Sequence, residues 1–352
     1  MLNKKQFGLA IIGTGSIAHT HAKAIAEIAE ARLIGVYNKT KSKADAFAAQ
    51  YQCKSYDSLE SMLDNEEIEI ACICTPSGVH LEPALACIAA GKHCLIEKPL
   101  EVTLERCDRI IQAAHKAGVK IGTIFPSRFY KGSRELKKAL NKKRFGSLVL
   151  GDAYVKWNRS PEYYQSGKWR GTWKLDGGGA LMNQGIHSVD LLQWYMGSVK
   201  SVQAISTRAL HKSIEVEDTI VAVVEFENGA LGTIECSTAV FPGAKKRIEI
   251  RGTGGSAILE GDELIEWSFK NSEENDKKIN SKIGNVSGSS GGAADPKDIS
   301  YKGHQRQIED MIDAIKEEKQ PLITGKEGKK SVEIIEAIYK SARTGEKVSI
   351  DY

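Results

Sequence analysis

Between residues 9 and 124 the chain alternates short, almost unbroken apolar runs with amphipathic segments. The runs LAIIG, ARLIGVYN, EIACICTP, HCLIEKP and VKIGTIF show little polar alternation, as expected of strands covered on both faces. Between them, SIAHTHAKAIAEIAE, KSKADAFAAQY, SLESMLDN, HLEPALACIAAG and LERCDRIIQAAHKAG carry apolar residues at helical spacing, and several end at glycine. This order predicts an α/β domain over residues 1–124, a doubly wound parallel sheet of Rossmann type. Over 125–352 the texture changes. LVLGDAYVKWN, VKSVQAISTRAL, DTIVAVVEFENGALGTIECSTAV, RIEIRGTGGSAILEG and ELIEWSFK read as strands, with ENGA a hairpin turn. An α+β domain follows, its sheet predominantly antiparallel and covered by helices, with HQRQIEDMIDAIKEEK and GKKSVEIIEAIYKSARTG closing the chain. Residues 271–298 are rich in Ser, Gly, Asn and Lys and predict a mobile loop with little to bury.

One segment departs from simple patterning. Gly177, Gly178 and Gly179 stand before an apolar stretch that reads as a buried helix, in which Asn183, His187, Asp190 and Trp194 follow helical spacing and share a face. Glycines there would let the helix begin against a ligand with its N–H groups exposed; a flexible turn is the alternative.

Length adds that one hydrophobic core is too few for 352 residues. Lys and Arg number 49 against 45 Asp and Glu, too even a balance to suggest nucleic acid or an anionic membrane as partner. Seven cysteines, at 53, 72, 74, 87, 94, 107 and 236, form no C-x-x-C pair, so no metal is expected and reduced thiols in the cytoplasm are. The first apolar run ends at Gly13 and reads as a strand rather than a signal peptide, and no stretch is long enough to cross a bilayer.

Candidate chemistry sits where strands hand over to helices. Gly13-Thr-Gly15-Ser16-Ile17-Ala18 follows the first strand and opens the first helix, the place of a dinucleotide fingerprint. The second strand ends in Asn38-Lys39, with Lys43 a turn later, and lacks the acidic residue that would select a free ribose 2′-hydroxyl. NAD or NADP is therefore admitted, and the two lysines read either as a phosphate contact or as an ordinary solvated face. Later strand ends carry Thr75-Pro76-Ser-Gly-Val-His80 and Glu97-Lys98-Pro99. Lys98, its backbone restricted by Pro99, reads as an acid or hydrogen-bond donor beside a nicotinamide, or as a surface lysine opening a loop.

G-T-G-S-I-A, T-P-S-G-V-H, E-K-P and G-G-G-A-L-M-N-Q-G-I-H, in that order, resemble the glucose-fructose oxidoreductase, inositol dehydrogenase and rhizopine-catabolism (Gfo/Idh/MocA) family over nearly the whole chain. The resemblance implies NAD or NADP on the first domain and a second domain whose open sheet often mediates homodimers or homotetramers. It implies oxidation or reduction of a carbinol or carbonyl carbon on a sugar, inositol or nucleotide sugar. It makes Lys98 catalytic and in contact with cofactor and substrate, and His187 the acid/base at the reacting oxygen, with Asp190 one candidate to orient it. Many polyol dehydrogenases of the family have Asp four residues before that histidine; Asn183 here, counted with Lys98 and His187 in the catalytic set, keeps a substrate hydrogen bond and loses a carboxylate. By the same resemblance Thr75, Pro76, His80 and Glu97 line the nicotinamide, Trp169 and Arg170 touch cofactor and substrate, Tyr301 closes the site, and Arg128 reaches an anionic substrate. Two alternatives stay open: an NAD-dependent glycosidase of the same fold, and a non-catalytic dinucleotide-binding sensor, which would be expected to lack the lysine and histidine that are present.

Overall fold

The apolar runs of the N-terminal half pair into one parallel sheet. The computed structural model describes residues 6–283 and 300–351. Strands β1 (Phe7–Ile12), β2 (Ala31–Tyr37), β3 (Lys54–Ser55), β4 (Ile70–Ile73), β5 (His93–Ile96) and β6 (Ile121–Thr123) lie in the order β3-β2-β1-β4-β5-β6. The order reverses between β1 and β4, so ligands of such a sheet bind outside the strand ends there. Helices α1 (Ser16–Ala26), α2 (Lys41–Tyr51), α3 (Leu59–Leu63), α4 (Leu81–Ala89) and α5 (Leu104–Ala117) make the crossovers. Local signals set their limits: Thr103 caps α5 by accepting the Arg106 N–H, and Gly118, at φ +69°, ends it in the left-handed region. β1 and β4 are buried throughout, which is why their sequences show no alternation.

The second unit holds an eight-stranded sheet in the order β13-β12-β11-β7-β10-β9-β8-β14. Its strands are β7 (Leu148–Lys156), β8 (Val199–Thr207), β9 (Thr219–Phe226), β10 (Leu231–Ser237), β11 (Arg247–Gly252), β12 (Gly255–Glu260), β13 (Glu263–Phe269) and β14 (Val348–Ser349). All neighbours are antiparallel except β7 and β10. β9 alternates buried and exposed positions along Thr219–Phe226, as a sheet covered on one face requires. The Asn228-Gly229 turn joins β9 to β10, with Gly229 at φ +84° and the Asn228 side chain accepting the Ala230 N–H. Helices of this unit include α6 (Lys131–Asn141), α7 (Pro161–Gln165), α8 (Trp173–Asp176), α9 (Ile186–Met196) and α10 (Glu274–Asn280).

Three expectations change. Residues 300–329, expected in the second domain, belong to the first compact unit with residues 1–126, while 127–299 and 330–352 form the second. Helix α11 (Lys302–Lys316) is therefore part of the nucleotide-type unit, its Ile308, Met311 and Ile312 buried in the same core as Leu9, Ile11 and Ile25, and the boundary at 329/330 falls within α12 (Gly325–Thr344). Part of the expected 271–298 loop is helix α10, because Asp276 on it is held by Arg144 at 2.7 and 2.8 Å and by the Trp267 indole N–H at 2.7 Å. The remainder, residues 284–298, lies outside the described residues. Finally, the single helix expected across 180–196 is a π-helical stretch, Ala180–Gly185, running into α9.

Candidate active site

In the first unit the glycine fingerprint forms a tight turn. Gly13 sits at φ +95°, and a Cβ there would lie 2.8 Å from the Cys74 carbonyl oxygen, so only glycine lets β1 end this close to β4. Gly15 is the N-cap of α1, contributes no side-chain cap, and has nothing within 4 Å of where its Cβ would be. Gly15 and Ser16 are exposed, so the eleven-residue helix begins at an accessible end at the sheet's switch point, which fits a dinucleotide pyrophosphate. Ser16 and Ile17 begin the helix, Ile17 packs partly on the core, and Ala18 is fully buried. At the end of β2 the Asn38 amide donates to the Thr40 carbonyl at 3.1 Å, and Lys39 and Lys43 are exposed.

The two later strand ends are tied to one another. His80, expected along the nicotinamide, is fully enclosed: Nδ1 faces the Pro99 carbonyl at 2.9 Å and Nε2 the Thr75 carbonyl at 3.0 Å. Glu101, which sequence reading passed over, accepts the His80 and Leu81 N–H groups and pairs with Arg106 at 3.0 Å. His80 therefore fastens the loop carrying Thr75 and Pro76 to the loop carrying Lys98. Glu97, expected to contact the cofactor, is also enclosed, with Oε1 2.8 Å from His21 Nε2 and 3.4 Å from His304 Nε2. Lys98 itself is half-buried directly after these groups. Tyr301, expected to close the site, precedes α11 and packs against the apolar core of this unit.

In the second unit α9 is buried almost all round, and His187 and Trp194 are its half-buried exceptions; Asn183 on the π-helical stretch is half-buried too. Asp190 leaves that group. It is fully buried and paired with Arg128 at 2.7 and 2.8 Å, so Arg128, 1% exposed, is a structural ion pair and presents no charge to a substrate. The guanidinium also lies over the Trp194 ring, 5.2 Å from its centre. Asn183 donates its amide to the Asp176 carboxylate and accepts from Gln184 at 2.9 Å. The carboxylate absent from position 183 thus reappears beside it on Asp176, which is buried and also accepts the Gly171 N–H. Around this point Arg170 stacks over Tyr163 and Trp169, at 4.5 and 4.7 Å, and Arg159 reaches Gln184. Tyr163, Asp176 and Arg159 lie outside the quoted motifs, and Gln184, though inside the glycine-led one, was given no role, so sequence reading missed all four.

The glycines before this helix serve packing. A Cβ on Gly178 would meet the Tyr339 hydroxyl at 2.1 Å, and one on Gly179 the Glu217 carbonyl oxygen at 1.7 Å. Glu217 accepts the Gly179 and Leu181 N–H groups at 3.0 and 2.9 Å and the Tyr339 hydroxyl at 3.0 Å. The leading N–H groups are thereby held by Glu217 and Tyr339, correcting the expectation that they open toward a ligand. Burial raises the Glu217 carboxyl to about 7 despite those donors.

The fold and the glycine cradle define a dinucleotide-binding protein of Rossmann type. Residues 7–125 match the family described as "Oxidoreductase family, NAD-binding Rossmann fold", and residues 133–258 the "GFO/IDH/MocA C-terminal domain". The chain belongs to the Gfo/Idh/MocA oxidoreductases. Among solved structures it is similar to the WlbA dehydrogenase of Bordetella pertussis, in complex with NADH and UDP-GlcNAcA, at 30% identity and a TM-score of 0.90, covering all of both chains. It is similar to the WlbA dehydrogenase of Chromobacterium violaceum, with the same ligands, at 33% identity and a TM-score of 0.87, covering 100% of this chain and 98% of that one. D-glucoside 3-dehydrogenase of Escherichia coli is 30% identical over 252 residues, 66% of this chain and 70% of that protein. Among the described residues no helix is long and apolar enough to cross a membrane.

Proposed function

We propose that the protein transfers a hydride between NAD or NADP and a carbinol or carbonyl carbon of a sugar, with Lys98 and His187 handling the proton. The observation that carries this reading is the open α1 N-terminus at Gly15, two strands from the β5 end that bears Lys98. When bound, a nicotinamide dinucleotide supplies hydride acceptance and donation. The chain's part is then the proton and the orientation. His187 takes the hydroxyl proton as the carbon is oxidised, imidazole being the side chain most often placed for such a transfer. Lys98 acts as a hydrogen-bond donor that supports developing negative charge. Asn183, buttressed by Asp176, bonds a neighbouring hydroxyl, and Trp169 with Arg170 forms a flat face suited to a sugar ring or nicotinamide. Thr75 and Pro76 line the nicotinamide side.

The relatives solved with UDP-GlcNAcA, and the one named for D-glucosides, support a hexose carrying a substituent as substrate. Screening NAD and NADP against pyranoses, inositols and nucleotide sugars, by absorbance of the reduced cofactor, tests the reading. Stoichiometric reduced cofactor is expected; glycosidic cleavage with cofactor recycling would replace this reaction with a hydrolytic one. Lys98→Ala and His187→Ala should each lower kcat about 10²- to 10⁴-fold, and unchanged turnover in both would remove the mechanism. The exposed apolar side chains Leu150, Ile205, Val221, Val223 and Leu231, on adjacent strands of the second sheet, support a homo-oligomer formed through that face. The seven cysteine thiols, six of them buried, support a reducing compartment, the cytoplasm.

A further inference from the structure

His21, Glu97 and His304 bring three ligand-type side chains together inside the first unit, from α1, the end of β5 and the first turn of α11. All three are buried, and the two imidazoles meet edge to face, 5.2 Å between centres. Two chemistries fit such a set, a metal site or a hydrogen-bonded carboxylate. The ring nitrogens decide between them. Each histidine turns Nε2 to Glu97 and leaves Nδ1 buried with no hydrogen-bond partner among the described residues. A metal on Nε2 would force the proton onto Nδ1, where a metal-bound histidine needs an acceptor and neither ring has one. With the proton on Nε2, both rings donate to one carboxylate and Nδ1 holds only a lone pair. Burial alone would raise the Glu97 carboxyl, but hydrogen bonds from the two histidines take it well below its usual range, while burial lowers His21. The hydrogen-bond geometry is therefore that of an ionised Glu97 accepting from the Nε2–H of His21 and facing Nε2 of His304.

The other carboxylate oxygen, Oε2, accepts the backbone N–H of Lys98 at 3.3 Å. Glu97 thus ties three things at once: the helix that begins at the glycine turn, the returning helix α11, and the backbone of Lys98. We propose that His21, Glu97 and His304 are positioning residues that fix Lys98 relative to the dinucleotide cradle through this shared carboxylate. The proposal rests on the assignment of Lys98 as a proton-handling residue.

Glu97→Gln presents one acceptor oxygen and one amide donor to three N–H groups, so at least one bond is lost. It should lower kcat roughly 10- to 100-fold, the scale of a small misplacement of a reacting group, and leave the dissociation constant of NAD within about twofold. In a Lys98→Ala background the same substitution should have almost no further effect on kcat. His21→Gln keeps an amide N–H near the place of Nε2 and should recover most of the kcat that His21→Leu loses. In the unaltered enzyme, nitrogen-15 NMR of the imidazoles at pH 8 should show the proton of both histidines on Nε2, a readout independent of whether any variant folds. If Glu97→Gln costs as much with Lys98→Ala as without it, the proposal falls while the role of Lys98 stands. If Lys98→Ala itself leaves kcat unchanged, the reading of the active site fails first and the proposal with it. Stoichiometric zinc after dialysis, or a cobalt absorption spectrum abolished by Glu97→Gln, would overturn the proposal in favour of a metal site, as would Nδ1–H tautomers in the NMR experiment.

Discussion

The two units build their functional surfaces by opposite means. The dinucleotide cradle of the first uses backbone: a glycine turn, a helix N-terminus and strand ends, whose chemistry follows from local sequence. The second uses side chains brought from far apart. Glu217 meets Gly179 across 38 positions, Arg128 meets Asp190 across 62, and Tyr339 meets Gly179 across 160. A backbone site tolerates little at a few glycines and much elsewhere; a side-chain site distributes its vulnerability over buried polar groups that must stay paired. Substitutions that separate binding from stability can sharpen or break this contrast.

The largest effect is expected at the Arg128–Asp190 pair. Arg128→Met leaves Asp190 as an unpaired buried charge and should destabilise the protein by about 3–5 kcal/mol, measured by denaturant unfolding. Arg128→Met with Asp190→Leu removes both charges and should recover part of that loss. If the single variant lowers turnover with an unchanged unfolding curve, Arg128 is a substrate residue after all and the contrast between the units weakens.

Glu217 gives the next effect, and it depends on pH. Its carboxyl titrates at about 7 in the fold against about 4.5 unfolded, so the folded state binds the proton more tightly. The stabilisation this confers is complete below pH 4.5, declines as pH rises, and is gone above about 7. The decline is on the order of 3 kcal/mol at most, from about 1.4 kcal/mol per unit. The difference in stability between the unaltered protein and Glu217→Gln, followed by denaturant unfolding from pH 5 to 8, should shrink across that interval. A difference constant with pH would mean that the hydrogen bonds from Gly179, Leu181 and Tyr339 hold Glu217 ionised throughout.

These cases also mark how far sequence reaches. The parallel sheet, the fingerprint at Gly13 and Gly15 and the hairpin at Asn228-Gly229 were legible, because periodicity and turn chemistry are local. The return of residues 300–329 to the first unit was not, since α11 reads as an amphipathic helix whichever core receives it. Helical spacing grouped Asp190 with His187, yet Asp190 points to Arg128 and Asn183 lies on a π-helical stretch where that spacing fails. Gly178 and Gly179 looked like a ligand approach because the clashing groups, Tyr339 and Glu217, are remote in sequence. His21 offered a faint signal, a histidine on an apolar helix face, with nothing to join it to Glu97 or His304.

A smaller effect isolates the backbone site. Gly15→Val puts its Cβ where no atom beyond the neighbouring residues lies within 4 Å, in the space assigned to the pyrophosphate. NAD affinity should fall roughly 10- to 100-fold, about 1.4–2.8 kcal/mol, read by calorimetric titration. The melting temperature without cofactor should change little. Gly13→Val should behave oppositely, losing stability even without cofactor, because of its positive φ and the Cys74 carbonyl. Equal destabilisation by both would mean the cradle is a packing device like the glycines before α9.

The smallest effect concerns Lys39 and Lys43, both exposed beyond the end of β2 where an acidic ribose selector is missing. If they face a 2′-phosphate, Lys39→Glu with Lys43→Glu should weaken NADP several-fold and leave NAD nearly unchanged, because each exposed charge contributes at most about 1 kcal/mol. That difference should shrink between 0.05 and 0.5 M salt, as screening of an exposed pair requires. A solvated face predicts equal, small changes for both cofactors. The Asn38 amide is already committed to the Thr40 carbonyl, which leaves its side-chain oxygen as the group able to accept a ribose hydroxyl. Asn38→Asp should therefore favour NAD over NADP by adding a charge at that oxygen, and a shift toward NADP would place the ribose elsewhere.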